Sequence, residues 1–343
     1  MNQTEQNVQT TTEFAAADCK KTISKLTLSL ACAYLLTVFV SEGLQLLAAK
    51  GMENGTITLD KTTVLTVLGF IPVYLICFPL FLLLTRKIPS VAPERSKLGA
   101  KRMFTLVMMV FPIMVAGNII GNILSAVLSG GKSSNTVVEL VSGLNPMGVV
   151  VGTLLGPVFE ELIFRKWLID HTLRFGEKYA IFFSALFFGM FHMNLYQIFY
   201  AFGIGLILGY IYVRTGNVLS TMLIHIGINS LSTIVVPILM QQSEYYTFLD
   251  MVQNQQMDME FLNAHIVWIG LLMLYSCLFF IAIIIGIAML IVNQKQLEIH
   301  QREGEIPFGR GVRATFTSGG MIFFTVMTVI LILLKVLLPL FTT

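Results

Sequence analysis

Apolar runs too long for an ordinary soluble core helix recur along this chain. Residues 62 to 85, 103 to 128 and 266 to 293 contain no Asp, Glu, Lys or Arg. About 20 apolar residues suffice to cross the hydrocarbon core of a bilayer. No water is available there, so a helix must satisfy its own backbone groups. The predicted fold class is therefore all-α, a polytopic transmembrane helix bundle. Composition agrees, with 55% hydrophobic and 12% charged residues among 343, where a soluble domain carries about 25% charged. Nine apolar segments stand out, near 26–48, 62–85, 103–128, 145–168, 178–194, 195–213, 217–239, 265–293 and 320–341. The fifth and sixth are short and nearly touch, which predicts a tight hairpin around Asn194.

Charge placement sets the expected orientation. Lys20, Lys21 and Lys25 precede the first segment, and six basic residues with one acid fill 86–102. Arg165, Lys166, Arg174 and Lys178, then Arg214, then Lys295, Arg302, Arg310 and Arg313 fall on the same side if nine spans alternate. The opposite loop, 240–264, has four acids and no Lys or Arg. By the positive-inside rule the N-terminus is cytoplasmic and the C-terminus external, in a bacterial cell membrane. Residues 1–25 are polar, lack a signal-peptide layout and read as a disordered cytoplasmic tail. Cys19, Cys32, Cys77 and Cys277 have no metal-binding or disulfide spacing. The formal net charge of +3 says little by itself, and no nucleic-acid partner is expected.

Several residues read as packing devices. Gly117 with Gly121, and Gly205 with Gly209, are small-xxx-small pairs that allow close helix approach. Asn118 and Asn122 share a helical face and could bond to a neighbour. Pro72, Pro79 and Pro112 are expected to kink their helices. Lys335, near a helix end, is expected to snorkel to the interface. The Tyr- and Phe-bearing loop 240–264 reads as a solvated connector with an interfacial anchor.

The residues that demand a chemical reason are Glu160 and Glu161, at the end of the fourth apolar segment. One charge deep in a bilayer costs about 2.5 kcal/mol or more, so intramembrane ionisable groups point to function. Residues four apart share a helical face, so Arg165 can pair with Glu161. Glu160 points elsewhere, toward the face of Phe164, and is left for a partner outside its own helix. A structural salt-bridge knot of all three explains the same spacing equally well. Of five histidines, His171, His265 and His300 sit among polar neighbours and read as solvated. His192 and His225 lie in apolar surroundings, with Asn229 one turn beyond His225. Together Glu160, His192, His225 and Asn229 make a plausible hydrolytic site. Glu160 would take a proton from a water that His192 helps to orient, and His225 with Asn229 would hold the oxyanion. Glu160, His192 and His225 also match the donor types of a catalytic zinc site, although HExxH is absent. His192 is roughly 21 Å into its straight helix, too deep to meet the others unless that helix tilts, kinks near Gly189 or starts outside the membrane.

Three motifs, Glu160-Glu161-xxx-Arg165, Phe188-xxx-His192 and His225-xxx-Asn229, resemble those of the CPBP intramembrane proteases, the CAAX prenyl endopeptidases and bacteriocin-processing or immunity (Abi) proteins. Arg214-Thr-Gly-Asn resembles that family's lead-in to the third motif. The resemblance covers roughly 103–240. It divides the chain into a tail (1–25), two added N-terminal spans with a basic loop (26–102), a protease-like core (103–240), and an external loop with two added spans (241–343). It implies about eight helices around a catalytic cavity within the bilayer that opens to the cytosol. Glu160 is then the catalytic glutamate, His192 its partner, His225 and Asn229 the oxyanion site, and Glu161 and Arg165 their support. The family carries a metalloprotease label, while its CAAX-type members are argued to use a glutamate without metal, so zinc is a possible cofactor rather than an implied one. The implied partner is a peptide or lipidated protein in the bilayer; prenylation and oligomeric state are left open. Two other readings compete: a transporter or bacteriocin-immunity protein that binds without hydrolysis, and a scaffold that keeps the motifs for packing.

Overall fold

The structure, a computed structural model, describes residues 3–132, 146–240, 243–293, 297–302 and 304–337. Lys295 and the last residues of the segment expected at 320–341 lie outside them. Among the described residues every regular element is helical. Twelve elements suffice to describe the chain: α1 (Gln3–Glu53), α2 (Lys61–Thr85), α3 (Ala100–Ser129), α4 (Pro146–Phe175), α5 (Glu177–Phe191), α6 (Leu195–Thr215), α7 (Val218–Met240), α8 (Ser243–Gln253), α9 (Met259–Ala264), α10 (Ile266–Asn293), α11 (Phe308–Phe316) and α12 (Gly319–Leu337).

Within the described residues, all nine expected segments are helical. Eight of the described helices, α1 to α4, α6, α7, α10 and α12, are long and apolar enough to cross a bilayer. The protein is an integral, multi-pass membrane protein. The ninth segment is α5, whose 15 residues reach roughly 22 Å against a hydrocarbon thickness of about 30 Å. It is a strut held inside the bundle, with Phe183, Phe187 and Ala185 wholly buried. At the other extreme, α10 buries only Leu272 and Gly286 and turns Val267, Phe280 and Ile284 outward. Such a surface suits lipid, which solvates apolar side chains as well as protein does.

Residues 3 to 25, expected as a disordered tail, instead continue α1. The reason is a buried stripe at helical spacing. Cys19, Ile23, Leu26 and Leu30 are all fully buried, and the four-three-four rhythm places them on one face. Asp18 anchors this turn to Arg174 at 3.0 Å, and Thr22 accepts a hydrogen bond from Arg174 at 2.9 Å.

Helix α6 is the hub, packed along both α3 and α5. The expected glycine pairs make that approach possible. A Cβ on Gly121 would stand 2.7 Å from the Leu195 carbonyl, and one on Gly205 would stand 2.9 Å from Ala185 Cα. Neither is tolerable for a methyl group, so the contact requires glycine. Asn118 and Asn122 do not reach a neighbouring helix; the Asn122 amide donates to Asn118 Oδ1 at 2.7 Å and to its carbonyl at 2.8 Å. Pro72 and Pro79 flank a π-helical stretch, Val73–Cys77, inside α2. A proline offers no N–H to the carbonyl one turn before it, and a widened turn absorbs that gap.

The polar face of the bundle is tied by ion pairs to two buried acids, Glu177 and Asp170. Glu177 meets Arg214, lies 3.6 Å from Arg302 and accepts the His300 backbone N–H at 2.9 Å. Asp170 meets Lys166 at 2.5 Å and accepts from the Tyr212 hydroxyl at 2.8 Å. Of the histidines expected in solvent, His171 is instead buried in this layer, whereas His300 is exposed as expected. His171 is 4% exposed and its Nδ1 faces the Trp167 carbonyl at 2.7 Å, while His300 Nδ1 contacts Arg214 at 2.8 Å.

Candidate active site

A hairpin sets the depth of the site. Helix α4 does not end near residue 168 but runs on to Phe175, because its polar residues find partners in the layer just described. Gly176, at φ +122°, turns the chain into α5; only glycine adopts that conformation readily. Glu160 and His192 stand the same number of residues on either side of this turn. Antiparallel arms of equal length bring them to one level, which removes the mismatch expected for a shorter fourth helix. Helix α5 runs unbroken through Gly189, whose role is contact. A Cβ there would stand 2.7 Å from the Ile198 carbonyl of α6.

The two glutamates have different environments. Glu161 is completely buried, with Oε2 3.2 Å from Arg165 Nε. Helix α4 is π-helical from Glu161 to Ile169, yet the wider turn still leaves residues four apart on one side. Arg165 is itself fully buried. It lies with its guanidinium 4.7 Å over the Phe188 ring and with Nη1 3.3 Å from Ser184 Oγ. Ser184 in turn donates to the Phe164 carbonyl at 2.5 Å. Glu160 escapes this knot. Its side chain keeps 18% of its exposure, and Oε2 lies 3.7 Å from His225 Nε2.

His225 bridges the pair, since its Nδ1 lies 3.0 Å from Glu161 Oε1. An ionised carboxylate only accepts hydrogen bonds, so the proton on that side sits on Nδ1. Glu161 thereby fixes the ring and leaves Nε2 turned toward Glu160. The Phe188 ring packs edge-on against both histidines, with centroids 4.9 Å from His192 and 5.8 Å from His225.

Asn229 is placed by an irregularity in α4. Residues Val151–Leu155 are π-helical, and the Gly156 amide bonds to Val151 O. Pro157 follows and has no N–H to offer. The Gly152 carbonyl is left open to another donor and accepts the Asn229 amide at 2.9 Å. One of the two Asn229 N–H groups is thus committed to backbone, and the other is available. Thr233, one turn on, meets Thr153 at 2.5 Å and fastens the same two helices.

These side chains open on one cavity of about 530 Å³, within the range of small-ligand sites. Glu160, His192, His225 and Asn229 all line it, while Glu161 and Arg165 stand behind its wall. Tyr34, Phe70, Phe78 and Phe191 form its apolar side. Sequence reasoning missed several polar lining groups, namely Asn194, Gln197, Ser232 and Thr233. Lys335 also lines this cavity, instead of serving only as an interfacial anchor. The turn between α5 and α6 does fall at Asn194, as expected: Met193 adopts φ +45°, and Asn194 Oδ1 accepts the Tyr196 amide at 3.0 Å.

Among the described residues no group of three or more His, Cys, Asp or Glu side chains is arranged to hold an ion. No chemical step is therefore drawn through zinc bound by Glu160, His192 and His225.

Fold and site together define a class: a multi-pass helical membrane protein with a carboxylate, two imidazoles and a carboxamide converging on a cavity between its spans. Comparison with known proteins points the same way. Residues 142–231 match the family model described as "Type II CAAX prenyl endopeptidase Rce1-like". The chain is also 27% identical over 107 residues to the protein named "Putative membrane peptidase YdiL" of Bacillus subtilis (strain 168). That alignment covers 29% of this chain and 42% of the relative, so the chain spans under half of the relative's length. No solved structure matches. The family resemblance read from the three motifs is borne out by this match, which includes Glu160, Glu161, Arg165, His192, His225 and Asn229 and ends before Ser232, Thr233 and Lys335.

Proposed function

We propose that this protein is an intramembrane endopeptidase of the CAAX type, which hydrolyses a peptide bond in a membrane-associated peptide or protein. The observation that carries this reading is the unequal placement of the glutamates. Glu161 is locked by Arg165 and His225, whereas Glu160 faces the cavity beside His225 Nε2. A free carboxylate next to an oriented imidazole is the arrangement that general-base hydrolysis needs.

In the proposed reaction Glu160 takes a proton from a water that His192 helps to orient. The resulting hydroxide adds to the carbonyl carbon of the scissile bond. Negative charge moves to the carbonyl oxygen, where the free N–H of Asn229 donates to it and the His225 ring stands beside it. Collapse of this intermediate breaks the C–N bond. The proton held by Glu160 passes to the leaving nitrogen, giving an amine and a carboxylic acid. Arg165 and Glu161 touch no reacting atom; they position His225.

The family match and the named relative support a peptidase without naming a substrate. The charge pattern supports a cytoplasmic N-terminus, which reporter fusions at residues 50 and 255 would test. For the catalytic reading, membranes from cells making the native protein or Glu160→Gln are compared by proteomics. Peptides that accumulate uncut with the variant are expected. Identical peptide patterns at equal protein levels would overturn the proposal, and peptide binding without any cleavage product would favour a non-hydrolytic binding protein.

A further inference from the structure

The cavity contains a charge that the proposed chemistry does not use. Lys335 projects from the last turn of α12, which lies well outside the family-matched stretch. Of the residues lining the cavity, it is the one Lys or Arg. Among the described residues no carboxylate lies within ion-pair distance of it. It shares that cavity with Glu160 and His192. Lys335 keeps an exposed side chain at the cavity, and an anion that reaches it gains a charge-assisted hydrogen bond.

The helix directions explain how Lys335 arrives there. Gly320 at the start of α12 abuts Ser24 of α1, and Tyr34 of α1 lines the same cavity as Lys335. Two helices that touch at Ser24 and Gly320 and share a cavity further along both chains, at Tyr34 and Lys335, run parallel. Lys335 therefore lies at the level of the site, and its position follows from this packing.

We propose that Lys335 is a specificity residue that binds a carboxylate of the peptide occupying the cavity, resting on the endopeptidase reading above. The carboxylate could come from a free C-terminus or from an acidic side chain; both present the same group to the ammonium. Glu160 would then act at one part of the bound segment while Lys335 fixes a negative group at another. The aromatic wall of Tyr34, Phe70, Phe78 and Phe191 would take the apolar side chains between them.

Binding tests this without needing turnover. Fluorescein-labelled decapeptides with four apolar C-terminal residues are made as the free acid, as the C-terminal amide, and as the amide with one internal Gln replaced by Glu. Each is titrated by anisotropy into detergent-solubilised full-length protein carrying Glu160→Gln, with and without Lys335→Met or Lys335→Arg. The acid peptide, or the internal-Glu amide, should bind on the order of tenfold or more tighter than the neutral amide, the scale of one charge-assisted hydrogen bond. Which of the two does so identifies the source of the carboxylate. Lys335→Met should bring that ratio close to one, and Lys335→Arg should keep most of it. Equal binding of all peptides, no binding of any, or a ratio unaltered by Lys335→Met would overturn the proposal. Charge-dependent binding with no cleavage of these peptides or membrane proteins by the native protein would instead sink the endopeptidase reading and leave Lys335 as an anion site.

Discussion

Replacing Arg165 by Met tests how the site is held together. The native side chain is fully buried, and Nε stands 3.2 Å from Glu161 Oε2. Coulomb's law gives about 5 kcal/mol for unit charges at that distance with an effective dielectric near 20. Measured losses on removing one partner of a buried pair are about 3–5 kcal/mol, because the other charge stays buried and unpaired. The guanidinium contacts to Ser184 and the Phe188 ring add to the loss. Arg165→Met should therefore destabilise the protein by about 3–5 kcal/mol, read as lower resistance to denaturant or heat in a fixed detergent. The double variant Glu161→Gln with Arg165→Met removes both charges. It should regain at least about 2 kcal/mol of that loss, since neutral replacements of a buried pair are often tolerated. Hydrolysis should not return with stability, because the ionised carboxylate that fixes His225 Nδ1 is gone. A single variant within about 0.5 kcal/mol of native, the scale of an ordinary surface change, would refute the electrostatic argument. So would a double variant no more stable than the single.

The remaining expectations concern the cavity wall, the packing and the metal. Glu160→Gln should lower turnover by about 10²- to 10⁴-fold, the usual range for a general base, at nearly native stability. Asn229→Ala should cost about 1 kcal/mol of stability from the lost bond to Gly152 O; its turnover should fall by about 10²- to 10³-fold with little change in KM. Gly205→Val should sharply reduce folded yield, because its Cβ would stand 2.9 Å from Ala185 Cα; near-native yield and melting would show that α5 and α6 can separate cheaply. Metal analysis of purified active protein should find well below one zinc per chain, and EDTA should leave cleavage intact. A stoichiometric, chelator-sensitive zinc would instead place a metal among Glu160, His192 and His225.

Much of this architecture was legible because a bilayer restricts the choices. Uninterrupted apolar runs located the spans, and the four-residue spacing of Glu161 and Arg165 gave their pairing before any coordinates. The depth of the site was not legible. Arg165, Lys166, Asp170, His171 and Arg174 look like the end of a span when read singly. They continue the helix because Tyr212, Trp167, Asp18 and their own neighbours satisfy them. The first turns of α1 were misread for a related reason: Cys19 and Ile23 form too short an apolar stripe to stand out among Thr, Lys and Asp. The double engagement of His225 depends on how α7 meets α4, which no spacing within α7 contains. Pro157 was a usable signal that went unread, since a proline after Gly156 implies an open carbonyl one turn earlier.

The turn at Gly176 acts as a fixed zero for a ruler with two scales. Because Glu160 and His192 are counted from it along opposite arms, one residue added to either arm slides its group by about 1.5 Å and swings it by about 100°. Chains that keep this site can therefore change loops freely elsewhere, yet must lengthen or shorten these two arms in register. The spacing from Glu160 to His192 is thus a more stringent mark of a working site than either residue alone.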